Sequence, residues 1–113
     1  MLDLRAGARI RRFGGPSLLA RLVAMFRTSG PRRVAEIRSA LRNDDLDQAM
    51  QVAHSLKSSA ANLGGTDVQA QAELVEALCF QGDGAGASEQ FLRLERSMEA
   101  LLAELHRLCP DPT

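Results

Sequence analysis

His54 is where this chain carries the most evident chemistry. It stands in the run Ala53-His54-Ser55-Leu56-Lys57-Ser58-Ser59-Ala60-Ala61-Asn62-Leu63-Gly64. Leu46, Ala49, Ala53, Leu56, Ala60 and Leu63 recur at steps of three and four. That spacing predicts a helix over about 45–62 with a narrow seam of small and medium apolar residues. At about 100° per residue, His54 falls about 130° from the centre of the seam, so its imidazole is expected to point outward. Its neighbours on the outer face are Met50 and Gln51 one turn before, Lys57 and Ser58 one turn after, and Ala61 two turns after.

An exposed imidazole is a nucleophile whose charge state changes near neutrality. Lys57 at i+3 sets an ammonium beside it, which favours the neutral ring and counters the charge of any phosphoryl group the ring acquires. Ser58 and Ala61 leave the helix surface thin, so the active site of another protein can come close. Taken alone, a surface histidine beside a lysine is an ordinary solvated pair. Other chemistries fit less well. No Ser–His–Asp set can be placed around His54. His106 is the only other histidine, no H-x-x-x-H or C-x-x-C spacing occurs, and Lys57 would repel a cation, so no metal site is expected. Neither a phosphate-binding G-x-x-x-x-G-K-[ST] loop nor a kinase glycine loop is present, so phosphorylation from ATP is not expected.

The elements that must hold His54 read as helices throughout. Residues 3–12 suit a short basic helix, broken by Phe13-Gly14-Gly15-Pro16-Ser17. A helix over about 16–28 would face inward with Leu18, Leu19, Leu22, Val23 and Phe26. Ser29-Gly30-Pro31 is expected to end it and to open another over about 31–42, with Val34, Ile37 and Leu41 inward. Asp44 is the expected cap of the His54 helix, with Asp45 and Asp47 in its first turn, and Gly64 with Gly65 a left-handed end. Thr66-x-x-Gln69 reads as a capping box for a helix over about 67–80, with Val68, Ala72, Leu74, Val75 and Leu78 inward. After a loop over 81–86, Phe91, Leu94, Met98, Leu101, Leu105 and Leu108 line a helix over about 87–108, ended by Pro110 and Pro112. No segment alternates with period two. The pattern predicts an all-α fold: an antiparallel up-and-down four-helix bundle with an additional N-terminal helix, in a single domain over 1–113.

Composition agrees. Of 113 residues, 45% are hydrophobic and 25% charged, the balance of a globular domain rather than a disordered tail. Fourteen basic and fourteen acidic residues cancel, so no nucleic acid or anionic lipid partner is indicated. The basic residues crowd toward the N-terminus, from Arg5, Arg9, Arg11 and Arg12 to Arg38, and are read as solvated helix faces. No apolar run reaches the length a membrane span needs, and the N-terminal residues have no h-region with a cleavage site, so a cytoplasmic protein is expected. Cys79 and Cys109, 30 positions apart, are expected as free thiols.

At this point a resemblance enters. His54-x-Leu56-Lys57-Ser58-Ser59-x-x-x-Leu63-Gly64 resembles the signature of histidine phosphotransfer (HPt) domains, H-x-L-K-[GS]-[SA] with a glycine ten residues after the histidine. Phe13-Gly14-Gly15 before a Leu-rich helix, Arg42-Asn43-Asp44-Asp45 before an Ala-His helix, and a long final helix follow the same layout, so the likeness covers about residues 10–108. It implies that His54 is phosphorylated, that Lys57 supports the phosphoryl group, and that Gly64 ends the phosphorylated helix. Ser58 falls where many members have glycine. Glu76 falls where many carry Gln or Glu near the histidine, and would hold its second ring nitrogen. As a bare feature of the sequence, Glu76 is a solvated acid. Met50, Gln51, Ser58 and Ala61 would form the docking surface.

The function so implied is that of a bacterial-type phosphorelay intermediate, a carrier rather than an enzyme. It would take a phosphoryl group from a receiver-domain phosphoaspartate and pass it to another receiver. Its partners would be response-regulator receiver domains, a hybrid sensor histidine kinase, or both. It would need no cofactor, Mg²⁺ being held in the receiver, and would act as a monomer. The alternative is a non-catalytic helical module that binds a receiver domain or another signalling protein. A further alternative, an enzyme using His54 as general base, lacks acidic or nucleophilic partners in the motif.

Overall fold

A computed structural model describes the backbone of residues 4–110 and the side chains of residues 18–110. Among the described residues four helices follow one another: α1 Leu4–Arg42, α2 Leu46–Leu63, α3 Thr66–Phe80 and α4 Gly84–Leu108. Turns of two or three residues join them, so neighbours run antiparallel, and α4 returns to pack on α1 as well as α3. Among the described residues there is no strand, and the all-α bundle expected from the sequence is what forms.

Several expectations are corrected, the first of them at the start of the chain. The segments read as separate helices over 3–12, 16–28 and 31–42 are a single helix, α1, with no break at 13–17 or 29–31. The reason at 29–31 lies in packing. Val23, Phe26, Gly30, Val34 and Ile37 are buried at steps of three, four, four and three, one stripe that never loses phase across Gly30-Pro31. A proline and a glycine inside a helix cost about 4 kcal/mol together. Burying Val23, Phe26, Val34 and Ile37 returns about 1.5–3 kcal/mol for each side chain, so the stripe wins. Gly30 contributes by its size, since a Cβ there would meet the Phe26 ring at 3.2 Å and the Met98 methyl at 3.4 Å. The side chains of Arg5, Arg9, Arg11, Arg12 and Phe13 lie outside the described residues.

The turns are fixed by particular residues. Asp45, not Asp44, caps α2: its carboxylate accepts the Gln48 N–H at 3.1 Å. Asp44 instead takes a left-handed conformation, φ 56°, and its carboxylate is left out of the cap. Gly64 ends α2 at φ 74°, with its N–H directed to the carbonyls of Ala60 and Ala61. Gly65 lies so close to α4 that a Cβ would stand 2.9 Å from Leu101 Cδ2. The expected cap position at Thr66 shifts by one residue: Gly65 holds it and Thr66 is already helical. Asp83 accepts the Gly86 N–H at 2.8 Å and starts α4 at Gly84, so the expected loop over 81–86 shrinks to three residues.

One apolar core runs through all four helices. Leu56, Ile37, Leu94, Val68 and Val75 are its most enclosed large side chains, and Ala49, Ala53, Ala60 and Ala72 have no exposed surface. Leu74 and Leu108, expected inward, are about half exposed. The buried stripe of α3 is Val68, Ala72, Val75 and Cys79, which turns Leu74 aside. At the end of α4, half-buried Cys109 takes the position that continues the stripe after Leu105, and Leu108 faces out. Arg27 of α1 ties this end down by donating to the carbonyls of Leu105, at 2.9 Å, and Cys109.

Candidate functional site

The seam that buries Ala53, Leu56 and Ala60 leaves His54 on the opposite side of α2, where its side chain is 61% exposed. Gln51 and Ser58 are exposed beside it, and Met50 and Ala61 are half-buried on the flank toward α3. The Ser58 hydroxyl is turned back on its own helix and donates to the His54 carbonyl at 3.3 Å. Gly64 lies ten residues on, at the end of the same helix.

Packing α3 against α2 brings Glu76 to the ring. Its Oε2 stands 2.7 Å from His54 Nδ1, and its Oε1 accepts from Lys57 Nζ, also at 2.7 Å. One carboxylate thus holds both residues, one on each oxygen. The arrangement fits a ring with its proton on Nδ1, donated to Glu76, and a lone pair on Nε2. Partial burial alone would push the Glu76 carboxyl up. The hydrogen bonds from Lys57 and His54, with the charges of both, outweigh that and hold it below the ordinary value. The hydrogen bond to Glu76 in turn raises Lys57, against a smaller opposing effect of burial, and the charges of Glu76 and Glu73 add to the rise.

The sequence places His54, Lys57, Met50, Gln51, Ser58 and Ala61 on one face, and the structure shows them there. It adds that Lys57 reaches across to α3. Counting along α2 sends the ammonium to the ring, because the spacing of one helix says nothing of a carboxylate on the next. Phe80 had no assigned place. It ends α3 one turn beyond Glu76 with 80% of its surface exposed. Its exposure breaks no periodicity, so nothing in the pattern of the sequence singles it out. Among the described residues, no group of three or more His, Cys, Asp or Glu could hold a metal ion. Nor is any described helix long and apolar enough to cross a membrane. Cys79 is buried and Cys109 half-buried, both as free thiols.

An all-helical bundle that presents one histidine on an open face, held from behind by a carboxylate, defines a class of module in which the imidazole is offered to a second protein. The family model of the Hpt domain matches residues 21–108, and the chain belongs to that family. It is, in general terms, a histidine phosphotransfer domain of two-component phosphorelays, a class that carries phosphoryl groups between kinases and receiver domains. No curated protein and no solved structure matches the chain.

Proposed function

We propose that His54 accepts a phosphoryl group on Nε2 from the phosphoaspartate of a receiver domain and yields it to the aspartate of another. The observation that carries this reading is the Glu76 carboxylate at Nδ1. It favours the tautomer whose free lone pair lies on the outward nitrogen. In the transfer, the Nε2 lone pair attacks phosphorus in line, the N–P bond forms, and the acyl phosphate P–O bond breaks to release the receiver's carboxylate. The ring keeps its Nδ1 proton and becomes cationic, and Glu76 is placed to stabilise that charge. Lys57 supports the phosphoryl group from one turn away, exchanging part of its pairing with Glu76 for the new anion. Ser58 and Ala61 keep the helix surface low enough for the receiver to close over the ring, with Met50 and Gln51 at the rim. The receiver brings Mg²⁺, and this chain contributes position, an oriented nucleophile and one cation.

Incubation with a phosphorylated receiver domain and Mg²⁺ tests the reading. Acid-labile, base-stable label is expected on the wild-type chain and not on His54→Gln. Equal labelling of the variant would place the acceptor elsewhere. Lys57→Ala is expected to slow transfer while the helical circular dichroism is retained.

A further inference from the structure

The structure offers a partner three recesses near the His54 face, one of them a polar cleft of about 330 Å³ between α1 and α2, lined by Arg32, Arg33, Gln51 and Ser55 among others. Also between α1 and α2 lies a groove of about 600 Å³, lined by Met25, Phe26 and Leu63 among others. Between α2 and α3 lies a smaller cleft of about 300 Å³, formed by Met50, Glu73, Glu76, Ala77, Phe80 and Gln81. The largest groove shares no residue with the trio His54, Lys57 and Glu76. The smallest one has Glu76 in its wall and is therefore continuous with the ring.

The helices fix where that cleft sits. Phe80 follows Glu76 by four residues, about 6 Å along α3. Met50 precedes His54 by four residues on α2, and because α2 and α3 are antiparallel the two side chains lie toward the same end of the bundle. A specific interface covers about 800 Å² on each partner, a disc of about 16 Å radius. A protein centred on His54 therefore covers Phe80. A ring left 80% in water in the free chain is the largest apolar gain available to it there. Exposed Asp47 and Glu73 edge the same area and would favour basic groups on the incoming surface. The two ends of the His54 face then differ in task. Lys57, Ser58 and Ala61, toward Gly64, lie beside the phosphoryl group, and Met50, Ala77 and Phe80, toward Gln81, give the grip.

We infer that Phe80, with Met50 and Ala77, is the apolar anchor by which a receiver domain docks over His54. The inference rests on the phosphorelay reading above and adds to it the residue that sets the partner's affinity.

The test compares two phosphoryl donors. One is a receiver domain charged with acetyl phosphate in Mg²⁺. The other is phosphoramidate, which phosphorylates histidine with release of ammonia and requires no docking surface. Phe80→Ala is expected to lower kcat/KM for transfer from the receiver about tenfold, the effect of losing one interface anchor. The rate at saturating receiver and the labelling of His54 by phosphoramidate should not change. Phe80→Leu should recover most of the loss, and Met25→Ala, in the other groove, should transfer like the wild type. Wild-type kcat/KM in Phe80→Ala, or a greater loss in Met25→Ala, overturns the anchor and leaves the relay standing. A wild-type chain labelled by phosphoramidate but by no receiver domain overturns both.

Discussion

Glu76 is the residue on which the site's electrostatics turn. It is partly buried, yet two cationic or proton-donating side chains on its two oxygens keep it ionised below its ordinary value of 4.5. A carboxylate held below that value adds stability at any pH above it. That stability is lost as the pH falls through the lower, folded-state value. Lys57 works in the opposite sense: raised above 10.5, it contributes below that pH and ceases to as the pH climbs past its folded-state value. The Glu76–Lys57 pair is therefore fully charged from about pH 4.5 to 10.5 and is lost only beyond those values, on the acid side through Glu76 and on the basic side through Lys57. In urea titrations, the stability difference between the wild type and Glu76→Gln is expected to be largest near neutrality and to close as the pH drops below 4.5. A difference that persists unchanged at pH 2 would show that the charge of Glu76 has no part in holding the trio. The outward ring was legible in the sequence because the seam of α2 sets its direction. The partner on Nδ1 was not legible from spacing, since Glu76 stands 22 residues away across a turn, and only the family resemblance pointed to it.

At the scale of elements, local signals were reliable where one residue type suffices and misleading where packing decides. Gly64 reads correctly as a left-handed cap because few other residues adopt φ 74° at low cost. Gly30-Pro31 reads as a break and is none, because a buried stripe on either side keeps phase through it. Asp44 and Asp45 are equivalent in type, and only the backbone path separates cap from turn. Their substitutions should separate them too. Asp45→Ala removes the acceptor for the Gln48 N–H and is expected to cost about 1 kcal/mol. Asp44→Gly removes a carboxylate with no capping bond and eases a left-handed backbone, so it should leave stability unchanged or slightly higher. Chemical denaturation of the two variants decides the matter, and a larger loss in Asp44→Gly would return the cap to Asp44.

Across the whole molecule, the site depends on how closely α2 lies to its neighbours. α2 packs between α1 and α3, and half of the six residues it buries are alanines: Ala49, Ala53 and Ala60 have no exposed surface. Small side chains at these positions set the helix spacing, and that spacing lets the Glu76 carboxylate of α3 reach both His54 and Lys57 at 2.7 Å. Ala53 is next to His54 in sequence but faces the core, so it links the packing of the bundle to the geometry of the ring. Ala53→Leu forces extra volume into a closed space and is expected to cost about 1–3 kcal/mol. For a domain of this size that is a fall in Tm of about 5–20 °C. The strain should also part α2 from α3, which ¹⁵N spectra of the His54 ring would register as a mixed tautomer population in place of one dominated by the Nδ1 proton. Ser55→Leu adds comparable volume on the exposed side of the same helix and should alter neither quantity. If Ala53→Leu melts with the wild type and keeps its tautomer, the alanines are not what brings Glu76 to the ring, and the spacing of α2 and α3 must be set by their turn at Gly64 and Gly65.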